Sequence, residues 1–193
     1  MILQPNDVAK DSEDEKYALL TVQPRPAAGS LAFAEIPAGM LDDSGSFAGK
    51  AAEEIKEETS ITVSADELQD MTKLAASQAS TSLWAKQGDS KGAPKKPTDL
   101  RETLKNAMYP SPGACDEFIP LLLYQARMPR DKLEALRGKA TGLREEGEMI
   151  TVKLVPLEDL WIEGSRDGKT LAALALYERL QNKGLLKEAT EQS

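Results

Sequence analysis

Four carboxylates fall within six residues at Glu53-Glu54-Ile55-Lys56-Glu57-Glu58, and no other run constrains this chain as strongly. Read at helical spacing, Glu54, Glu57 and Glu58 stand at i, i+3 and i+4 and share one face of a single helix. Like charges so placed repel. A helix carries them on a solvated surface, or around a hard divalent cation that cancels the charge. Mg²⁺ suits the second case because it takes a few carboxylates, keeps several waters and completes its shell with substrate phosphates. An isolated string of this kind reads as a solvated acidic face. Phe47, Ala51 and Ile55 recur at i, i+4 and i+8, so the spacing predicts a helix over 47–59 with a buried stripe beside the acidic one.

The chain's other residues narrow the chemistry. With 193 residues there is material for one well-packed domain and not for two large ones. A formal charge of -8 argues against nucleic acid or an anionic membrane as a partner, because phosphate polymers demand clustered Lys and Arg. A small anionic substrate is compatible if metal screens it. No apolar run approaches the length of a membrane span and none follows a basic start, which predicts neither a transmembrane helix nor a signal peptide. Cys115 is the one cysteine and suits a reducing compartment, with the cytoplasm as the expected location. The absence of His removes Ser-His-Asp and Cys-His catalysis and His-bearing zinc sites. Acid and base work falls to carboxylates, Lys or Tyr.

Strands are expected at 17–22, 32–37, 118–127 and 148–155, and a closing helix at 170–183. Residues 1–187 read as one domain. Within it, 77–97 has the Gly, Ser, Lys, Gln and Pro content of a mobile surface insertion, and 98–106 that of a short helix. Residues 188–193 read as a polar, frayed tail.

From Gly39 to Ile61 the chain reads GMLDDSGSFAGKAAEEIKEETSI. It resembles the Nudix box, a Gly, five residues, Glu, seven residues, then Arg-Glu-apolar-any-Glu-Glu-any-Gly-apolar. Gly39, Glu54, Ile55, Glu57, Glu58 and Ile61 occupy the family's positions without insertion or deletion. Three positions depart: Gly45 stands in place of the first Glu, Glu53 in place of the Arg, and Ser60 in place of the last Gly. In the family that Arg orients a helix carboxylate, so Glu53 reverses a charge beside the cluster. Lys50 and Lys56 are the nearby cations.

Further segments resemble the nucleotide-sugar branch of the superfamily, which holds the ADP-ribose pyrophosphatases and the ADP-sugar and UDP-sugar diphosphatases. They are Tyr17 to Arg25, Glu35 to Asp43, Pro112 to Glu117, and the loop and strand from Gly142 to Trp161. The resemblance implies an α/β fold, a Nudix-type α/β/α sandwich with a mixed sheet. It also implies Mg²⁺, with Mn²⁺ as the alternative, and cleavage of a nucleotide sugar to nucleoside monophosphate and sugar 1-phosphate. Glu54, Glu58 and the Ala38 carbonyl match metal-holding positions, and Glu57 is a ligand or a water-mediated supporter. Glu146 is the expected general base, with Glu148 as a metal ligand or alternate base. Arg25 is expected on a phosphate, Met40 in the pocket wall, and Asp116 and Glu117 on sugar hydroxyls. A homodimer is implied, as is an N-terminal β region that is expected to be missing ahead of Met1. A second reading stays open: a degenerate Nudix domain that binds a nucleotide or a protein and hydrolyses little.

Overall fold

The apolar run from Tyr17 to Val22 organises the sheet. In the computed structural model it forms the first part of strand β2 (Tyr17–Arg25), whose residues Ala18 to Thr21 are buried. The structure describes residues 1–10, 12, 14–39, 47–82, 105–143, 145 and 147–192. One edge of β2 pairs antiparallel with β8 (Ile150–Pro156) from Tyr17 to Val22. Its other edge is divided. Strand β1 (Ile2–Pro5) takes Tyr17 and Ala18, and β3 (Ser30–Glu35) takes Thr21 to Arg25. Two partners leaving one edge in this way open a cleft where they part.

The main sheet runs β7 (Ala140–Thr141), β8, β2, β1, β6 (Gln125–Met128), β9 (Thr190–Glu191), with β3 on β2. The β1–β6 and β6–β9 pairs are parallel and the others antiparallel, so the sheet is mixed. A side-chain period of two sends alternate residues to opposite faces. Leu3, Leu19, Val152 and Leu154 pack with Ile55 of helix α1 (Phe47–Thr59). Ala18, Leu20 and Val155 pack with Leu160 of α4 (Leu160–Glu163) and Leu174 of α5 (Gly168–Asn182). Ile2 meets Met71 of α2 (Met71–Ser82) and Tyr177 of α5. A short α3 (Arg130–Ala135) follows β6 and buries Leu133 in the first cluster. Each fully buried leucine is worth about 2 kcal/mol, and the result is the expected α/β/α sandwich. Among the described residues, no helix is long and apolar enough to cross a membrane.

Helix α1 has the expected bounds, with Ile55 buried and Ala51 packed on the same cluster. The side chain of Phe47 lies outside the described part. Ser60 ends the helix with φ 62°, the left-handed turn that glycine makes without penalty. Ser60→Gly is therefore expected to raise stability by about 1 kcal/mol, read as a shift of the denaturant midpoint.

Three expectations change. The apolar run at 118–127 is not one central strand. Ile119 makes an isolated bridge to Met108, β5 (Leu122–Leu123) pairs with β4 (Gln69–Asp70) in a second sheet, and β6 alone joins the main one. Pro120 supplies no N–H, and the chain changes sheets at Tyr124, which is buried to 1% between them. The insertion expected from 77 does not begin there, because α2 continues to Ser82; 83–97 lies outside the described residues, as does most of 98–106. The tail is tied down where β9 pairs with β6, Gln192 N–H donates to Arg127 O at 2.7 Å, and buried Arg127 lies 3.2 Å from Glu191.

Candidate active site

The cleft beside β2 has a volume of about 1460 Å³ and takes residues from β2, β3, α1, the loop before β8 and the start of α5. Helix α1 presents Glu54, Glu57 and Glu58 to it. One turn apart, Glu54 and Glu58 differ sharply in burial. Glu58 keeps 4% of its surface exposed, while Glu57 lies on the exposed flank of the same wall.

A buried carboxylate needs donors or positive charge. The Ala38 N–H donates to Glu58 Oε2 at 3.2 Å. Burial still pushes the Glu58 carboxyl up to about 8, opposed by that N–H and reinforced by the charges of Glu54, Glu148 and Glu35. Burial also raises Glu54, with Lys50 working against it and Glu57 and Glu148 adding to it. The Lys50 ammonium lies 3.4 Å from Glu53 and 3.6 Å from Glu54. The reversed charge at Glu53 is thus met by Lys50 one turn earlier rather than by Lys56, and Glu53 points to solvent.

Two backbone features hold Glu54 and Glu148 in place. The Cγ and Cδ of Glu54 lie where a Cβ on residue 39 would stand, so only Gly39 lets that side chain pass. Gly142, at φ 87°, lies against the Glu148 side chain, and the Leu143 N–H donates to Glu148 Oε2 at 2.9 Å. The loop bearing Glu148 is latched to α1: the buried Thr141 hydroxyl donates to Glu58 O at 2.5 Å, and Gly142 N–H to Glu57 O at 3.2 Å. Carboxylates from distant segments are thereby brought within each other's field.

Arg25 also lines the cleft, and its Nε donates to Glu35 Oε1 at 2.6 Å. Glu35 is 3% exposed and also accepts from Lys169 Nζ at 3.0 Å. Asp116 and Glu117 are exposed and line the cleft. Met40 and Glu146 lie outside the described residues. Ala38 contributes its N–H here. Glu35, Thr141, Asp167 and Lys169 were not legible as site residues, although a lone Glu at the end of an apolar strand, just before Pro37, is a signal for the first.

The donors are hard oxygens around a buried acid that ionises at a cost, and this chemistry fits a hard divalent cation. Among the described residues no three acidic side chains are gathered closely enough to cage an ion unaided.

No family model matches the chain. Over 177 residues, 91% of this chain and 48% of the relative, it is 36% identical to "Nudix hydrolase 14, chloroplastic" of Arabidopsis thaliana. The chain is thus similar to a Nudix hydrolase over most of its own length. It spans about half the length of the curated relative it matches. Glu54, Glu57 and Glu58 of the acidic helix form part of the cleft wall, and Lys50 lies beside Glu53 and Glu54. Because Glu54 passes over Gly39, Gly39→Ala is expected to weaken Mg²⁺ binding by about tenfold or more with little change in melting temperature. Calorimetric titration with Mg²⁺ beside a thermal melt checks both.

Proposed function

We propose that this chain hydrolyses the diphosphate bond of a nucleotide sugar of the ADP-sugar, ADP-ribose or UDP-glucose type, giving nucleoside monophosphate and sugar 1-phosphate. The observation that carries the reading is the buried Glu58, raised to about 8, beside Glu54 and Glu148 in a cleft that also holds Arg25. An acid held in this state has its use when a cation and an anionic substrate arrive together. The Nudix relative supports a pyrophosphohydrolase activity in general.

Glu54 and Glu58 would hold Mg²⁺ or Mn²⁺, with the Ala38 carbonyl and Glu148 or Glu57 in support. When bound, the ion neutralises the diphosphate and lowers the pKa of water. Glu146 is the general base of this proposal, and Glu148, whose Oε2 accepts from the Leu143 N–H, is a metal ligand or the alternate base. Water oxygen forms a bond to one phosphorus, the bond from that phosphorus to the bridging oxygen breaks, and the carboxylate takes the water's proton. Arg25 grips phosphate oxygens, and Asp116 and Glu117 accept hydrogens from sugar hydroxyls. A homodimer completes the proposal, in a reducing compartment, cytosolic or plastid.

A panel of ADP-ribose, ADP-glucose, UDP-glucose and diadenosine polyphosphates, assayed with Mg²⁺ and with chelator, tests this. Release of sugar 1-phosphate only with Mg²⁺, fastest from a nucleotide sugar, is the expected result. Preference for a diadenosine polyphosphate contradicts the substrate class.

A further inference from the structure

The start of α5 is joined to the end of β3 across 134 residues of sequence, and nothing in the chemistry above uses that junction. Asp167 caps α5, accepting from Lys169 N–H at 3.1 Å, from Thr170 N–H at 3.2 Å and from the Thr170 hydroxyl at 2.7 Å. Lys169 then reaches back, with Nζ 2.9 Å from Asp167 Oδ1 and 3.0 Å from Glu35 Oε2. Next to this pair, the Ile36 N–H donates to Thr170 Oγ1 at 3.2 Å. Two residues on, Ala38 holds Glu58.

Charges alternate along the chain of contacts Arg25, Glu35, Lys169, Asp167. Glu35 and Asp167 are 3% and 4% exposed, so their carboxylates are desolvated and depend on their cations for place. Among the described residues, Lys169, partly buried, is the one that pairs with both. With Glu35 fixed on one side by Lys169, its other oxygen sets Arg25 through Nε. Among the described residues Arg25 makes no other ion pair, and its partly exposed side chain, which ends in the two-pronged guanidinium fork, lines the cleft. That fork matches two oxygens of one phosphate.

We propose that Lys169, anchored by Asp167, is a positioning residue for phosphate recognition: through Glu35 it holds the Arg25 fork in the orientation that receives the diphosphate. This rests on the reading of the cleft as a nucleotide diphosphate site. Lys169 itself does not touch the ligand. Its loss lets Glu35 turn or draw Arg25 inward, and the cost falls on binding more than on bond cleavage.

ADP with Mg²⁺, titrated calorimetrically into wild type, Lys169→Met, Lys169→Arg, Arg25→Met and the Arg25→Met/Lys169→Met double variant, tests the relay beside steady-state kinetics. Lys169→Met is expected to weaken ADP by about tenfold and to raise KM more than it lowers kcat. Lys169→Arg should restore affinity to within about twofold, and Lys169→Met should add little once Arg25 is gone. A melt of each variant, with the rescue by Lys169→Arg, separates a lost orientation from a lost fold. Wild-type ADP binding that is unchanged by Lys169→Met, or weakened equally with and without Arg25, overturns the relay alone. Failure of wild type to bind ADP overturns the relay together with the reading beneath it.

Discussion

Glu58→Gln is expected to lower turnover of a nucleotide sugar by at least about a hundredfold, more than the loss of a supporting contact costs. The same change should make the metal-free protein more stable at pH 8. Both effects come from one carboxylate, 4% exposed and hydrogen-bonded to Ala38. Its pKa is raised from 4.5 to about 8, chiefly by burial, so the folded state holds the proton more tightly than the unfolded one. For an acid shifted upward, the folded state is favoured at low pH. This group's penalty grows as pH rises from about 4.5 to about 8, at most ~1.4 kcal/mol for each unit of displacement. Glutamine keeps an acceptor for the Ala38 N–H and has no charge to desolvate. In chelator, wild-type Tm should therefore fall across that window more steeply than the variant's, in which only other shifted groups such as Glu54 remain. With saturating Mg²⁺ wild type should recover and the variant should not. A variant that turns over normally would remove Glu58 from the chemistry.

Asp167→Ala is expected to cost about 3 kcal/mol, combining a lost helix cap with a broken buried ion pair. For a domain of this size the loss corresponds to a fall of roughly 6 to 12 °C in Tm. Burial alone would raise the Asp167 carboxyl, but hydrogen bonds from Thr170 and Lys169 and the Lys169 charge outweigh it and hold it below its usual 3.8. The sign is opposite to that of Glu58. A depressed acid stabilises the fold above its unfolded pKa and loses that contribution as pH falls through the folded value, so the Asp167 share disappears below about pH 4. Asp167→Asn keeps the cap and loses the charge, and should fall between the two. Denaturation of all three at pH 7 and pH 3 checks this: the gap between wild type and Asp167→Ala should narrow at pH 3. A gap that stays constant would assign the loss to packing.

The box helix was legible because two periodic signals agree there. An apolar stripe through Ala51 and Ile55 sets the buried side, and the carboxylates at i and i+4 set the cleft side. Which carboxylate would be buried was not legible, since spacing places Glu54 and Glu58 alike and only the fold of 36–39 over the helix separates them. The sheet switch at Tyr124 was hidden because Leu121-Leu122-Leu123-Tyr124 is apolar throughout and carries no mark of two partners. The last strand was hidden for the opposite reason: Thr190 and Glu191 are polar and only two residues long, and are held by register with β6 and by Arg127. The Glu35 to Lys169 contact spans too much sequence for any local pattern to show it. Lys50 could be seen as a nearby cation, and its place between Glu53 and Glu54 follows from the i+3 and i+4 geometry of the helix.

The most direct measurement is a phosphorus NMR time course of ADP-glucose with the wild-type protein, first in chelator and then with Mg²⁺. The account predicts unchanged diphosphate resonances in chelator, followed by their loss on addition of Mg²⁺ with equal growth of AMP and glucose 1-phosphate. Diphosphate resonances that shift or broaden with Mg²⁺ while no monophosphate forms, from ADP-glucose or from ADP-ribose and UDP-glucose in its place, would contradict it and make this chain a nucleotide-binding module.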